Sequence, residues 1–229
     1  MWEPMAAELE SFRDDTALVA IDFPGFGASS LRPAWSLAAI STEIRTEAER
    51  YTKQPVTVAG LSMGGYAAFE FLRANPGLTR ALVLSNTRAE ADSEEEKQHR
   101  NVFAEDARRR GPDAAMDRLY SNFVTPETAP AIAIEIRSWI MEADPEAIAA
   151  ALDAMAQRND SRDLLPLVTV PSLVISGGRD VMMRTTSMRA MAARLEDASF
   201  VEIPTAAHLT AVEEPRAWAQ ALASFLERL

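Results

Sequence analysis

The chain has no cysteine among its 229 residues and only two histidines. Disulfides, thiolate nucleophiles and cysteine-based metal sites are excluded, and two histidines leave little for zinc. No apolar run approaches the roughly 20 residues needed to span a bilayer, and the opening MWEPMAAELE lacks the basic start and apolar stretch of a secretory signal. A cytoplasmic protein with no membrane association is the expectation. Positive charge is also scarce: 23 Lys and Arg stand against 34 Asp and Glu, a formal net charge of -11. Such a surface repels phosphate backbones, so nucleic acid is not an expected partner. Neither G-x-x-x-x-G-K-[ST] nor G-x-G-x-x-G is present to cradle a nucleotide phosphate.

What the chain does have is enough apolar residue, 48%, to bury the core of one domain with an inserted subdomain. Five short runs rich in β-branched residues read as strands: 17–23 (ALVAIDF), 56–61 (VTVAGL), 81–85 (ALVLS), 172–176 (SLVIS) and 199–203 (SFVEI). Their near-continuous apolar character predicts strands buried on both faces, as in a parallel sheet. Helical patterns lie between most of them, at 36–51, 63–74, 185–196 and from Pro215 onward. This alternation predicts a layered α/β fold. Over residues 88–162 the strand signal disappears, which predicts a helical insertion between two strands, with Pro126, Pro130 and Pro145 separating its helices.

Gly60-Leu61-Ser62-Met63-Gly64 matches G-x-S-x-G at the point where a buried-strand pattern turns into a helix. Chance produces the five-residue pattern in roughly one chain in ten of this length, so its context carries the argument. A serine in a strained strand-to-helix turn presents its hydroxyl above the sheet, and small residues two before and two after let the backbone double back. Gly60 and Gly64 hold those places, and Gly65 permits close helix packing. The competing readings are a plain glycine-rich βα turn and a phosphate cradle in which amides at the helix start hold an anion.

A serine nucleophile needs a base. His208 follows the last strand pattern, whereas His99 sits in the charged run SEEEKQHRN. The imidazole in turn needs a carboxylate, and Asp180 closes SLVISGGRD just past a strand, where Gly177 and Gly178 bring it to the sheet edge. Asp22 is a rival acid, but it precedes the serine and is better suited to bracing the Pro24-Gly25-Phe26-Gly27 turn. Ser62, Asp180 and His208 thus fall in the order Ser…Asp…His, each after a strand pattern.

In this respect the chain resembles the α/β-hydrolase superfamily along nearly its whole length. IDFPGFGASS is similar to that family's D-x-P-G-x-G-x-S loop, GLSMGG to its nucleophile elbow, LVISGGRD to its acid turn and AAHLTAVEEP to its histidine loop. The stretches on either side of the insertion are similar to capped bacterial enol-lactonases and small carboxylesterases. The resemblance implies an α/β-hydrolase fold, a mostly parallel sheet of about five strands flanked by helices, with a core formed by 1–87 and 163–229 and a helical cap over 88–162. It implies a serine hydrolase of a small-molecule ester or lactone, with Ser62 as nucleophile, His208 as base, Asp180 as orienting acid and the Met63 backbone N–H as an oxyanion donor. Trp139, Met141 and Met155 are candidates for the pocket lining, although packing within the cap or against the core is the favoured account of them. No cofactor or metal is called for. A cofactor-free perhydrolase and a carbon–carbon bond hydrolase use the same triad, and a non-catalytic ligand-binding member is the alternative from another class.

Two departures from the family pattern stand out. Val181-Met182-Met183-Arg184 follows the acid where relatives commonly carry a proline, and Arg184 faces an anionic substrate if it points inward. Family members also begin with two strands and a third that ends in an H-G-type loop, whereas here Trp2 stands near the start of the following helix. The resemblance then implies that the third strand and one of two oxyanion donors are missing. An N-terminally truncated fragment is the leading expectation, ahead of a compact five-stranded variant or a homo-oligomer in which another chain completes the sheet.

Overall fold

A computed structural model describes residues 1–13, 16–32 and 34–229. Two helices come first, α1 (Glu3–Phe12) and α2 (Leu37–Tyr51), followed by strand β1 (Val56–Leu61), α3 (Met63–Ala74) and β2 (Thr79–Ser85). Four helices then intervene before the next strand: α4 (Glu94–Arg110), α5 (Pro112–Phe123), α6 (Pro130–Glu142) and α7 (Pro145–Ala156). The chain finishes with β3 (Ser172–Gly177), α8 (Thr185–Ala192), β4 (Ala198–Ile203), α9 (Thr210–Glu213) and α10 (Pro215–Leu226).

The four strands form one parallel sheet in the order β1-β2-β3-β4. Side chains alternate across a strand, and the core divides accordingly. Ala81 and Val83 of β2 and Leu173 and Ile175 of β3 join Met5 and Leu9 of α1 and Trp218 of α10 in one cluster. Leu82 and Leu84 of β2 and Val174 of β3 join Phe69 and Phe71 of α3 and Met188 of α8 in another. The sheet is therefore the middle of three layers, which is why its strands read as unbroken apolar runs.

One predicted strand does not form. Residues 17–23 take no part in the sheet, which has four strands rather than about five. An apolar run becomes a strand only where a neighbour lies within pairing distance, and β1 is hydrogen-bonded to β2 alone among the described residues. Leu18 and Val19 stay 40% exposed. Further along this segment Phe23 is anchored by a side-chain contact instead, with its ring edge-on to Trp35 at 5.7 Å.

Local chemistry sets the helix ends of the 94–156 stretch. A Ser93–Glu96 capping box opens α4, whose first turn carries Glu94, Glu95 and Glu96 and whose last carries Arg108, Arg109 and Arg110, complementing the helix dipole. Pro112, Pro130 and Pro145 each begin a helix, where a missing N–H costs nothing. The two crossings between this stretch and the sheet are tied together. Asp92, with no exposed side-chain surface, pairs with Arg88, Arg100 and Arg158. Arg158 also donates to the Glu90 carbonyl, and Ser161 N–H to that of Ala89. No described helix is long and apolar enough to cross a membrane.

Candidate active site

Ser62 occupies the single residue between β1 and α3 and has φ 53° and ψ -117°. A side chain rarely adopts this conformation, which costs on the order of 1–3 kcal/mol and persists only where its surroundings enforce it. Here Ser62 N–H donates to the Ser85 carbonyl at 2.9 Å, and the Ser62 carbonyl accepts from Gly65 N–H at 2.9 Å and Thr87 Oγ1 at 2.8 Å. The glycines divide the task unevenly. A Cβ on Gly60 would lie 2.1 Å from the Gly64 carbonyl oxygen, and one on Gly65 would lie 2.4 Å from Thr87 Oγ1, whereas a Cβ on Gly64 meets nothing within 4 Å. The expectation of a small residue two places after Ser62 is thereby corrected: the crowding comes from the Gly64 backbone, and its side-chain direction is open.

His208 and Asp180 converge on this turn. His208 Nε2 lies 2.9 Å from Ser62 Oγ, and His208 Nδ1 lies 2.8 Å from Asp180 Oδ2. A carboxylate accepts only, so the ring proton belongs on Nδ1, leaving Nε2 to accept from the serine hydroxyl. Gly177 allows this convergence, because a Cβ there would sit 2.0 Å from the Ala207 carbonyl oxygen on the histidine loop. Asp180 and His208 are almost wholly buried. Burial disfavours the ionised Asp180, but the hydrogen bond and charge of His208, with donation from Asn86 and Met183, outweigh it and hold the carboxyl below its ordinary range. Met182 and Met183 N–H groups donate to its other oxygen at 2.8 and 3.0 Å.

Sequence reasoning did not single out three residues around this relay. Asn86, directly after β2, is fully buried with φ 44°. Its Nδ2 donates to Asp180 Oδ2 at 2.7 Å, while its Oδ1 accepts from Thr210 Oγ1 at 2.9 Å. Asparagine tolerates positive φ better than most residues, so an asparagine closing ALVLSN was the available signal. Glu213 accepts from the N–H groups on both sides of His208, Ala207 at 3.1 Å and Leu209 at 3.0 Å. Burial pushes its carboxyl above the ordinary range despite those two bonds. Phe123, at the end of α5, stacks on the His208 ring with centroids 5.5 Å apart and planes 6° from parallel. No local pattern marks that contact.

The remaining candidates fall elsewhere. Asp22 accepts from Ala28 N–H at 2.9 Å, which braces the 24–27 turn. His99 is exposed on α4, and Arg184 is exposed at the start of α8. Met63 is the first residue of α3, so its N–H is among the helix-start donors with no acceptor inside the helix. Trp139 packs against the large cluster and Met155 bridges it to a third cluster around Tyr66 and Ile40, whereas Met141 is 38% exposed and belongs to none. No group of three or more metal-binding side chains occurs among the described residues.

Residues 1–221 match the family described as "Alpha/beta hydrolase family". The chain belongs to that family. It is similar to 3-oxoadipate enol-lactonase 2 of Acinetobacter baylyi, 24% identical across the whole chain and 84% of that protein. It is also similar to a pimeloyl-[acyl-carrier protein] methyl ester esterase of Neisseria meningitidis, 25% identical over 91% of the chain and 81% of the relative. A thermophilic esterase from Thermogutta terrifontis, solved with malate bound, superposes with a TM-score of 0.94 at 34% identity, covering 99% of the chain and 85% of that structure. With such relatives, this member of the α/β-hydrolase family is a hydrolase-type enzyme of the esterase and lactonase kind.

Proposed function

We propose that the chain cleaves a small carboxylic ester or lactone through a Ser62–His208–Asp180 triad and an acyl-enzyme. The observation that supports this most is the unbroken hydrogen-bonded line from Ser62 Oγ through both imidazole nitrogens to a buried, ionised Asp180. In this reading Ser62 Oγ bonds to the substrate carbonyl carbon as its proton passes to His208 Nε2. The carbonyl oxygen gains the negative charge and accepts from Met63 N–H. His208 then gives its proton to the departing alkoxide, which leaves as an alcohol or, from a lactone, stays tethered to the acyl group. Water delivers a proton to Nε2 while its oxygen attacks the acyl carbon, and Ser62 departs with that proton. Asp180 stays ionised throughout, holding the Nδ1 proton and stabilising the imidazolium.

Residues 88–162 serve in the same proposal as a cap over the core formed by 1–87 and 163–229. Support comes from the placement of Phe123 against His208 and of Met155 between the helical stretch and the Tyr66 cluster. The test is hydrolysis of a short-chain aryl ester by the purified chain. Ser62→Ala is expected to lower kcat by a factor of about 10⁴ or more, and wild type to accumulate an acyl adduct on Ser62 visible by mass spectrometry. Turnover that survives Ser62→Ala would remove the triad from the reaction.

A further inference from the structure

The contact between Phe123 and His208 points to a role for the 94–156 helices beyond covering the site. Two imidazole edges are occupied, Nδ1 by Asp180 and Nε2 by Ser62, and Phe123 lies parallel to one ring face. A second contact leaves the same α5–α6 region: Glu127 pairs with Arg179 at 3.2 Å, one residue before Asp180. A single segment therefore touches the turn carrying the base and the turn carrying the acid.

We infer that Phe123 is a positioning residue for His208: the helices between β2 and β3 supply an aromatic face that holds the imidazole in the plane joining Ser62 to Asp180 and stabilises it when it becomes an imidazolium. The inference rests on the triad reading above. Its physical basis is the negative face of the phenyl quadrupole. A cation within about 6 Å of the ring centroid is attracted to it, more strongly where water is excluded. His208 is 1% exposed, so the site meets that condition. The neutral ring of the resting enzyme gains little from this term, and the cation formed as each proton moves gains much more. Such an interaction lowers the barrier without tightening substrate binding. The stack also opposes rotation of the ring out of the relay plane, which would break both of its hydrogen bonds.

A purely space-filling phenyl group would leave a different signature, because leucine replaces most of its apolar volume and none of its π face. With a short-chain aryl ester, Phe123→Leu is expected to lower kcat and kcat/KM together, by about three- to twentyfold, with KM within about twofold. Phe123→Tyr, which keeps the face, is expected to restore kcat to within about twofold of wild type. Unchanged kcat in Phe123→Leu would overturn the inference, as would a rise in KM alone, which would make Phe123 a wall of the substrate pocket. If Phe123→Leu is poorly folded by circular dichroism, the tyrosine variant decides: a kcat loss there as large as in Phe123→Ala also overturns it. Ser62→Ala is run alongside. Retained turnover in that control defeats the triad reading, whereas a dead control with a fully active Phe123→Leu defeats only the positioning role.

Discussion

Strand β2 and residues 17–23 are both short apolar runs, ALVLS and ALVAIDF, and they meet different fates. The first is hydrogen-bonded to β1 on one edge and β3 on the other, and Leu82, Val83 and Leu84 have no exposed surface. In the second, Leu18 and Val19 keep 40% of theirs. The difference has a consequence at the ends of the two runs. Asn86, one residue past β2, is held closely enough to donate to Asp180 at 2.7 Å, whereas Asp22 near the end of the other run only braces its own turn. Pairing on both edges turns a strand end into a precise platform, and a run without that pairing supports only local chemistry.

The largest loss of stability is expected at Leu84 of β2. Leu84→Ala removes a side chain packed against α3 and α8 and is expected to cost about 2–5 kcal/mol of unfolding free energy, read from urea denaturation. A loss below about 1 kcal/mol would mean that β2 is no better anchored than 17–23.

A smaller effect is expected at Asp180, in the turn just past β3. The folded pKa of Asp180 lies below its unfolded value of about 3.9, so its stabilisation is fully present above that pH. It is lost as pH falls through the lower folded value, at about 1.4 kcal/mol for each unit of difference. Glu213 works in the opposite sense. Burial raises its pKa, so its contribution is greatest below its unfolded value of about 4.3 and is lost as pH rises through the folded one. Urea midpoints measured from pH 3 to 6 should therefore fall less steeply toward acid in Asp180→Asn than in wild type.

The least change is expected at Leu18. Leu18→Ala should shift stability by about 0.5 kcal/mol or less, because a side chain already meeting water loses little when shortened. A loss comparable to that of Leu84→Ala would show residues 17–23 to be as firmly packed as β2.

Much of the relay was legible because its parts are short-range. A serine between closely spaced glycines at a strand-to-helix boundary is a local conformational demand, and Ser62 meets it with φ 53°. Gly177-Gly178 before Asp180 signals a close backbone approach, and the Ala207 carbonyl oxygen occupies the space a Cβ on Gly177 would need. Pro130 and Pro145 marked helix boundaries for an equally local reason, and each stands first in its helix. Less legible was anything that depended on a partner far along the chain. Asn86 donates to Asp180, 94 positions on, and Asp92 pairs with the distant Arg158 as well as with the nearer Arg88 and Arg100.

By itself, then, the amino-acid order determined the elbow, the succession Ser62, Asp180, His208, and the alternation that makes a layered α/β protein. These follow from backbone sterics and hydrophobic patterning, which act over a few residues. Tertiary structure alone decided that 17–23 stays out of the sheet, that Gly64 has open space, and that Asn86 and Phe123 reach the relay. Strand pairing, hydrogen bonding and ring stacking need partners at defined distances, and residues 85 positions apart, such as Phe123 and His208, acquire that distance only when the chain has folded.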